Sequence, residues 1–349
     1  MAEGGHRNRP VSWVRRGVRM TEGQEAAWQQ HGHKYLIEPP RSLARESIAP
    51  GWALDITSIF EKSSPCAEKL LPCAKSLRLR AAQAPGLDSA TPTAKAVSAQ
   101  NDDGRGPHRL VVEIGTGRGE NIVAAAAREP ETNFLGVEVY GPGLARAILL
   151  AESAGTGTPL LHVNPEIANA VANANVPVVS RRTTPQPTEP MEPAEQTEPT
   201  VEAANQAETG LANLRLIQAD APELLEALPE NSVDEFWVFF PDPWPKSKHQ
   251  KRRLVDDDFI PLIARVLKPG GVIRLATDWQ HYADQMQEVF AKASGIFEPL
   301  ESPVEEGASP SRNQQNPQNQ RFSGRVLTAF ESKGIREGRE ITDLAYRRK

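Results

Sequence analysis

The sequence predicts an α/β domain whose sheet is mostly parallel and carries helices on both faces. Between residues 109 and 152, short apolar runs of strand length alternate with helical segments. Such alternation gives parallel strands joined by right-handed crossovers. The first run, RLVVEI at 109–114, continues directly into a glycine-rich turn, and the alternation resumes after residue 210. Together these observations favour one α/β domain that is interrupted by an insertion.

The predicted elements follow one another in chain order. An alanine-rich helix after the first strand ends near Pro130, and three aspartates at 256–258 precede a later helix whose positive end favours them. The remaining predicted elements are a strand at 133–139, a helix at 142–152, a strand at 213–218, a helix at 222–228, a strand at 233–240, a strand at 272–276 after the PGG break, a helix at 281–293, and a strand-like RVLTAF at 325–330 before a basic tail.

The domain organisation follows from shifts in composition. Thr21 and Gln24 have the spacing of a capping box, which predicts a short helix from about Glu22. Two polar segments bury too little apolar surface to offset their ordering entropy, so we predict that they are disordered. The predicted regions are a basic N-terminal arm at 1–38, a largely irregular linker at 39–106, and the domain at 107–349, interrupted by an acidic insertion at 154–210 and a polar insertion at 302–321.

Composition excludes several functional classes. The two cysteines, Cys66 and Cys73, lie far from any histidine cluster, so neither a zinc site nor a disulfide framework is predicted, and no metal is expected. No apolar run approaches the roughly 18 residues of a membrane span, and the N-terminus lacks an apolar signal core. We therefore expect a cytoplasmic protein. The net charge of −5 is an average, and a basic face can coexist with acidic segments.

The glycine-rich turn, EIGTGRGE at 113–120, departs from a dinucleotide fingerprint. Gly115 and Gly117 are present, but Glu120 stands where that fingerprint has its third glycine. Glu113, just before the first glycine, would be poorly placed beside phosphates. These two acids argue against NAD and for S-adenosylmethionine, which has no phosphate and carries an amino group and a sulfonium.

Two further acids support a cofactor crevice. Glu138 lies near the end of the second strand, where a carboxylate can accept both ribose hydroxyls, and Asp220 ends the third strand, where it can accept an adenine amino hydrogen. Each alone is also consistent with an ordinary surface carboxylate. In register with Glu113 and the glycine turn, they line the edge at which open α/β sheets bind ligands.

The segment FFPDPWPKSKHQKRR at 239–253 follows the fourth strand. Prolines flank Asp242 and Trp244, so the segment cannot continue a central strand. An acid and an indole that open into a basic run suggest a pocket for a planar polar group beside an anionic polymer. The alternative is a turn with a solvated charge run. Trp244 either stacks on a base or packs within the loop.

At this point the motifs resemble those of the tRNA (guanine-N7-)-methyltransferases. The similarity is carried by EIGTGRGENI, VEVY, QADA, FFPDPWPKSKHQKRR, LKPGGVIRLATDW and TAFESKG. It implies a Rossmann-like class I methyltransferase fold with a seven-stranded sheet. It also implies transfer of a methyl group from S-adenosyl-L-methionine to N7 of the variable-loop guanine at position 46 of tRNA, forming 7-methylguanosine. No obligatory protein partner is implied.

Roles for individual residues follow in part from the resemblance, which gives cofactor and substrate contacts, and in part from the chemistry of N7 methylation and the charge of the basic run. Asp242 is the expected catalytic residue, which holds the base edge and also contacts the cofactor. The expected cofactor contacts are Glu113, Gly115, Gly117, Glu138, Asp220 and Asp242. The expected substrate contacts are Lys246, Asp278, Thr328, Phe330 and Glu331. The expected contacts to the RNA backbone are Lys248, His249, Lys251, Arg252 and Arg253, with Arg15, Arg16, Arg19, Arg325, Arg347 and Arg348 as an extension.

Three rival functions stay open at this stage. A methyltransferase for a small molecule or a protein needs no basic run beside its pocket. A nucleic-acid-binding protein that has lost activity would not need the acids at the strand ends. An NAD dehydrogenase is disfavoured by Glu113 and Glu120.

Overall fold

The computed structural model describes residues 19–42, 47–61, 108–156, 210–300 and 321–349. Their strands form one sheet in the order β1-β4-β3-β2-β5-β6-β8-β7. The strands are β1 Leu36–Ile37, β2 Arg109–Ile114, β3 Thr132–Glu138, β4 Leu214–Gln218, β5 Val233–Phe239, β6 Leu267–Thr277, β7 Phe297–Pro299 and β8 Thr342–Arg348. The helices are α1 Glu22–Tyr35, α2 Ile56–Glu61, α3 Glu120–Arg128, α4 Gly141–Thr156, α5 Ala221–Ala227, α6 Phe259–Val266, α7 Gln280–Lys292 and α8 Ala329–Arg336.

The sheet is mostly parallel, as predicted. Strands β1 to β6 pair in parallel, whereas β8 runs antiparallel to both β6 and β7. The sheet has eight strands rather than the predicted seven, because the two residues of β1 pair with β4 at the edge. So short a strand has no periodicity of its own and depends on that pairing.

The strand order reverses beside β2. The chain moves outward from β2 to β3 and β4 on one side, then returns to form β5 and β6 on the other. The helices that follow β2 and β5 therefore depart to opposite sides, and a crevice opens beyond the carboxyl ends of these two strands. Open α/β sheets bind their ligands at this switch point.

Both faces of the sheet are buried. Along β2, Leu110 and Val112 belong to one core cluster and Val111 belongs to the other, because successive side chains of a strand point to opposite faces. The first cluster includes Leu224 of α5, and the second includes Ala125 of α3. A sheet covered by helices on both sides accounts for the continuous apolar runs in its strands.

Helix α1 begins as the sequence predicts. The Thr21 hydroxyl accepts a hydrogen bond from the Gln24 backbone N–H at 3.3 Å, and the Gln24 side chain accepts one from the Thr21 N–H at 2.9 Å. The helix packs on α4, where Glu152 accepts hydrogen bonds from Lys34 and Tyr35. The predicted arm therefore becomes part of the domain from residue 21 onward.

Three regions differ from the sequence prediction. Strand β6 begins at Leu267 and continues through the PGG segment, where the sequence predicts a break before residue 272. Within the predicted linker, Ile48 and Leu54 join the core, because the sheet leaves apolar surface there for them to cover. The segment RVLTAF is not a strand: Thr328 caps α8 by accepting a hydrogen bond from the Glu331 N–H at 3.2 Å. The final antiparallel strand is instead formed by the basic tail, as β8.

Several predictions fall outside the described residues. They concern the two cysteines, most of the acidic and polar insertions, and Arg15 and Arg16. Among the helices that the structure describes, none combines the length and the apolar composition needed to cross a membrane. The described residues also contain no group of three or more His, Cys, Asp or Glu side chains arranged to hold a metal ion.

Candidate active site

A cavity of about 340 Å³ lies at the carboxyl ends of the central strands. Its volume falls in the range of small-molecule sites. The glycine turn, the ends of β3, β4 and β5, and the loop after β5 all contribute to its wall. The lining residues are Ile114, Gly115, Gly117, Val137, Glu138, Val139, Ala219, Asp220, Ala221, Pro222, Phe239, Phe240, Pro241, Asp242, Trp244, Lys251, Arg252, Arg253, Leu254 and Asp256.

The glycine turn is shaped by backbone that only glycine adopts easily. Gly115 and Gly117 have φ values of +78° and +56°. The turn folds back on β3, because the Gly115 N–H donates to the Val137 carbonyl at 2.8 Å. A Cβ added at Gly115 would meet no atom within 4 Å. The space above this turn is therefore open to a ligand.

Glu138 closes the turn from the adjacent strand. Its Oε2 accepts a hydrogen bond from the Gly117 N–H at 2.8 Å, and its Oε1 accepts from the N–H groups of Val139 and Tyr140 at 2.8 and 2.9 Å. Burial raises the pKa of Glu138, these bonds oppose the shift, and the charge of Asp242 adds to it. Glu138 is thus fixed in place and faces a second carboxylate.

Glu113 lies beneath the glycine turn and does not line the cavity. The side chain is 4% exposed, and its Oε1 accepts a hydrogen bond from Asn121 Nδ2 at 3.0 Å. Its Oε2 has no hydrogen-bond partner among the described residues. Burial raises the pKa of Glu113 to about 8, with a further contribution from the charge of Glu138. Among the described residues, no cation pairs with this carboxylate.

Asp220 and Asp242 complete the acidic lining. Asp220 occupies the N-cap position of α5, at the end of β4. Asp242 lies at the open mouth of the cavity, where it is exposed to solvent on one side. The surrounding protein still desolvates its carboxylate enough to raise the pKa of Asp242. The sequence prediction that these acids converge on one crevice agrees with their positions, although Glu113 lies one layer below the others.

The loop after β5 has strained backbone. Phe240 and Trp244 have φ values of +53° and +42°, which are unfavourable for bulky side chains. Arg253 fixes this loop from below: its Nε donates to the Pro243 carbonyl at 2.8 Å, and its Nη1 donates to Gln285 Oε1 at 2.7 Å. Such strain persists only where the surroundings hold it, and it clusters at functional sites.

Trp244 is held on two sides. The guanidinium carbon of Arg252 lies 5.0 Å from the centre of the indole, and the His249 ring meets the indole nearly at a right angle at 5.9 Å. The indole also lines the cavity. The structure therefore combines features of both alternatives, since the ring packs against its own loop and also faces the pocket.

The basic residues of this loop differ in how exposed they are and in whether they line the cavity. Lys246, Lys248 and Lys251 are exposed, and the 3-10 helix Ser247–Arg252 carries most of the run. Partial burial and the neighbouring positive charges lower the pKa of His249. Lys251 and Arg252 line the rim of the cavity.

Arg253 and three other arginines do not fit the predicted contacts with the RNA backbone. Arg253 and Arg325 are each 2% exposed, and both are engaged in internal hydrogen bonds. Arg347 pairs with Val272 in the sheet register, and Arg348 follows it, so both lie at the sheet edge opposite the cavity. The arginines predicted to contact RNA thus lie partly on a different surface and partly in the interior.

The predicted substrate residues of the C-terminal segment lie beside the loop after β5 and do not line the cavity. Phe330 is 50% exposed, and its ring centre lies 5.2 Å from that of Phe240. Asp278 forms an ion pair with Arg339. Glu331 is 1% exposed and accepts hydrogen bonds from two arginines, Arg321 and Arg325.

Sequence reasoning missed the residues that join the glycine turn to the predicted substrate segment around Thr328. Glu120 Oε2 accepts a hydrogen bond from the Ala329 N–H at 2.8 Å, and Asn121 Oδ1 accepts one from the Val326 N–H at 3.1 Å. The only sequence signal was the acid at the third-glycine position. That signal gave no indication of contact with a segment about 200 residues away.

Comparison with known proteins gives a consistent result. A family model described as "Putative methyltransferase" matches residues 107–172 and 191–344. The tRNA (guanine-N(7)-)-methyltransferase of Paenarthrobacter aurescens is 30% identical over 381 residues, covering 99% of this chain and 94% of the relative. The protein of the same name from Bifidobacterium longum is 31% identical, covering 96% of this chain and 87% of its own length.

Among solved structures, the aminoglycoside resistance methyltransferase NpmB1 aligns with 69% of this chain and 87% of its own, at 14% identity and a TM-score of 0.34. The assignment rests on the sequence relatives, which extend over nearly the whole chain. The chain belongs to the tRNA (guanine-N(7)-)-methyltransferase family.

Proposed function

We propose that this protein transfers a methyl group from S-adenosyl-L-methionine to N7 of the variable-loop guanine at position 46 of tRNA. One observation carries the proposal: a single cavity has an acidic wall and a basic rim. Glu138, Asp220 and Asp242 line the wall, whereas Lys251 and Arg252 line the rim. A cationic cofactor suits the wall, and a polyanionic substrate suits the rim.

The acidic wall fits S-adenosylmethionine. When bound, this cofactor supplies an electrophilic methyl group on a positively charged sulfur. Glu138 and Asp220 both line the cavity, which supports the proposal that Glu138 accepts ribose hydroxyls and Asp220 accepts an adenine amino hydrogen. Glu113, with an oxygen that has no partner among the described residues, favours positive charge nearby. Gly115 and Gly117 leave the space that the ligand needs.

Asp242 is the proposed catalytic residue. Guanine N7 has an in-plane lone pair and no proton, so the reaction needs no strong general base. Positive charge develops on the purine as the methyl group is transferred. A carboxylate fixed at the mouth of the cavity holds the base edge and stabilises this charge more in the transition state than in the ground state.

The remaining contacts position the RNA. A guanine in a folded tRNA must leave its stack to enter the cavity, and Trp244 offers it an indole that Arg252 already orients. Lys246, Lys248, Lys251 and Arg252 contact phosphates. Of the C-terminal residues, Phe330 contacts the RNA directly, while Asp278 and Glu331 hold the segment that presents it.

The test is methyl transfer to a tRNA transcript, followed by chain cleavage at 7-methylguanosine. The expected product has one cleavage site, in the variable loop. A matched transcript with 7-deazaguanosine at that position lacks N7 and should accept no methyl group there. Methylation of proteins or metabolites without methylation of tRNA would exclude the proposed function, and methylation of the deaza transcript at that position would exclude N7 as its target.

A further inference from the structure

Two successive residues of α3 join the cofactor crevice to the substrate segment. Glu120 and Asn121 follow the glycine turn directly, and Gly119, the N-cap of α3, has a φ of +77°. Glu120 accepts a hydrogen bond from the first N–H group of α8, and Asn121 accepts one from Val326, two residues before Thr328. The backbone that presents the substrate residues is therefore held on both sides of Thr328.

Asn121 has a second contact that Glu120 lacks. Its amide nitrogen donates to Glu113 at 3.0 Å while its oxygen accepts from the Val326 N–H at 3.1 Å. A backbone N–H can only donate, so it must face the amide oxygen, and this leaves the amide NH₂ for the carboxylate. Both Asn121 and Glu113 are 4% exposed, and water does not compete for these bonds.

We propose that Asn121 is a positioning residue that couples occupation of the cofactor crevice to the placement of the Thr328–Glu331 segment. This inference rests on the proposed function. The ammonium group of the cofactor, which S-adenosylhomocysteine also carries, favours the charged form of Glu113, and an amide donates a stronger hydrogen bond to a carboxylate than to a neutral carboxyl. The amide polarised in this way accepts more strongly from Val326. The cofactor and tRNA should therefore bind with positive cooperativity.

The test measures the coupling directly. The dissociation constant of a tRNA transcript is determined with and without saturating S-adenosylhomocysteine, and that of S-adenosylhomocysteine with and without the transcript. In the wild type, each ligand should tighten the other by at least about fivefold, and the two factors must agree because coupling is reciprocal. In Asn121→Ser and Asn121→Ala, whose side chains cannot span both partners, the factor should fall to about one.

Asn213 provides the matched control. It is also a buried asparagine, and its amide donates to the carbonyls of Ala126, Glu129 and Thr132, around the other end of α3. Asn213→Ser should reduce stability and keep the wild-type coupling factor. The inference is overturned if the wild type shows no coupling, if both Asn121 variants keep it, or if Asn213→Ser loses it equally. Failure of the proposed function would appear separately, as a wild type that does not methylate tRNA.

Discussion

Glu113 and Glu331 are both buried glutamates, at 4% and 1% exposure, yet their surroundings shift their pKa values in opposite directions. For Glu113, burial raises the pKa to about 8 and the charge of Glu138 adds to the shift, while hydrogen bonds from the Asn121 side chain and the Ile122 backbone N–H oppose it only in part. For Glu331, burial acts in the same direction, but hydrogen bonds from Arg321 and Arg325 outweigh it and lower the pKa.

The difference distinguishes a structural carboxylate from one that lies in a binding site. Glu331 has its cations within the chain, so its charge is compensated before any ligand arrives. Glu113 lies among acids instead: besides burial, the charge of Glu138 raises the pKa of Glu113, and the charge of Asp242 raises the pKa of Glu138. A protein keeps uncompensated charge where a ligand supplies the missing partner.

The largest expected effect is on stability, when the compensated carboxylate of Glu331 is removed. Glu331→Gln should lower the free energy of unfolding by up to about 3–5 kcal/mol, because it removes one of the two carboxylates that compensate the buried Arg325, which keeps only Asp343, and also removes the partner of Arg321. Urea unfolding of both variants and the wild type at a pH just above 8 measures the change. Glu113→Gln is the matched control and should not destabilise the protein above about pH 8, where the wild type buries a charged carboxylate. Equal destabilisation of both variants would show that the two carboxylates do not differ.

A smaller effect is expected at the exposed end of the acidic wall. Asp242→Ala should lower kcat by about 100- to 1,000-fold, as for the loss of one group that stabilises transition-state charge. The affinity for S-adenosylhomocysteine should fall only severalfold, because Glu138 and the glycine turn are unchanged. Single-turnover methyl transfer and calorimetric titration measure the two quantities. A kcat near that of the wild type would remove Asp242 from the catalytic role.

Much of this site could be predicted from the sequence. Glu138 ends a strand, and Asp220 and Asp242 lie just after one. Parallel strands bring their carboxyl ends to one edge, so the order of the elements was enough to place the acids together. The sequence could not show that the neighbouring residues Arg252 and Arg253 differ in burial. Both line the cavity, but Arg252 is partly exposed, whereas Arg253 is buried because Gln285, about 30 residues later on α7, supplies its partner. Whether a charged side chain is buried or exposed depends on tertiary contacts, which no local sequence pattern contains.

The pH dependence of stability should identify Glu113 as the uncompensated group. Its pKa is about 8 in the folded protein against 4.5 when unfolded. The folded state thus holds the proton more tightly, and this contribution to stability is complete below the unfolded pKa and is lost as pH rises through the folded value. Between about pH 5 and about pH 8, Glu113→Gln should remove a decline of at most about 1.4 kcal/mol per pH unit. Parallel stability curves for the variant and the wild type would show that Glu113 does not titrate in this range.

The smallest expected effect concerns Arg252 and Arg253, of which the first is partly exposed and the second is buried. Arg252→Gln should reduce the slope of log affinity for tRNA against log salt by about one, because one phosphate contact is lost, and should raise the tRNA KM. It should not change cofactor affinity or unfolding. Arg253→Gln should do the opposite: its buried guanidinium holds the loop carbonyl of Pro243, so the free energy of unfolding should fall by about 1.5–3 kcal/mol while the salt slope stays near that of the wild type. If instead both variants lower the salt slope equally, Arg253 reaches the RNA, and burial in the free protein does not decide which charges of this run bind the substrate.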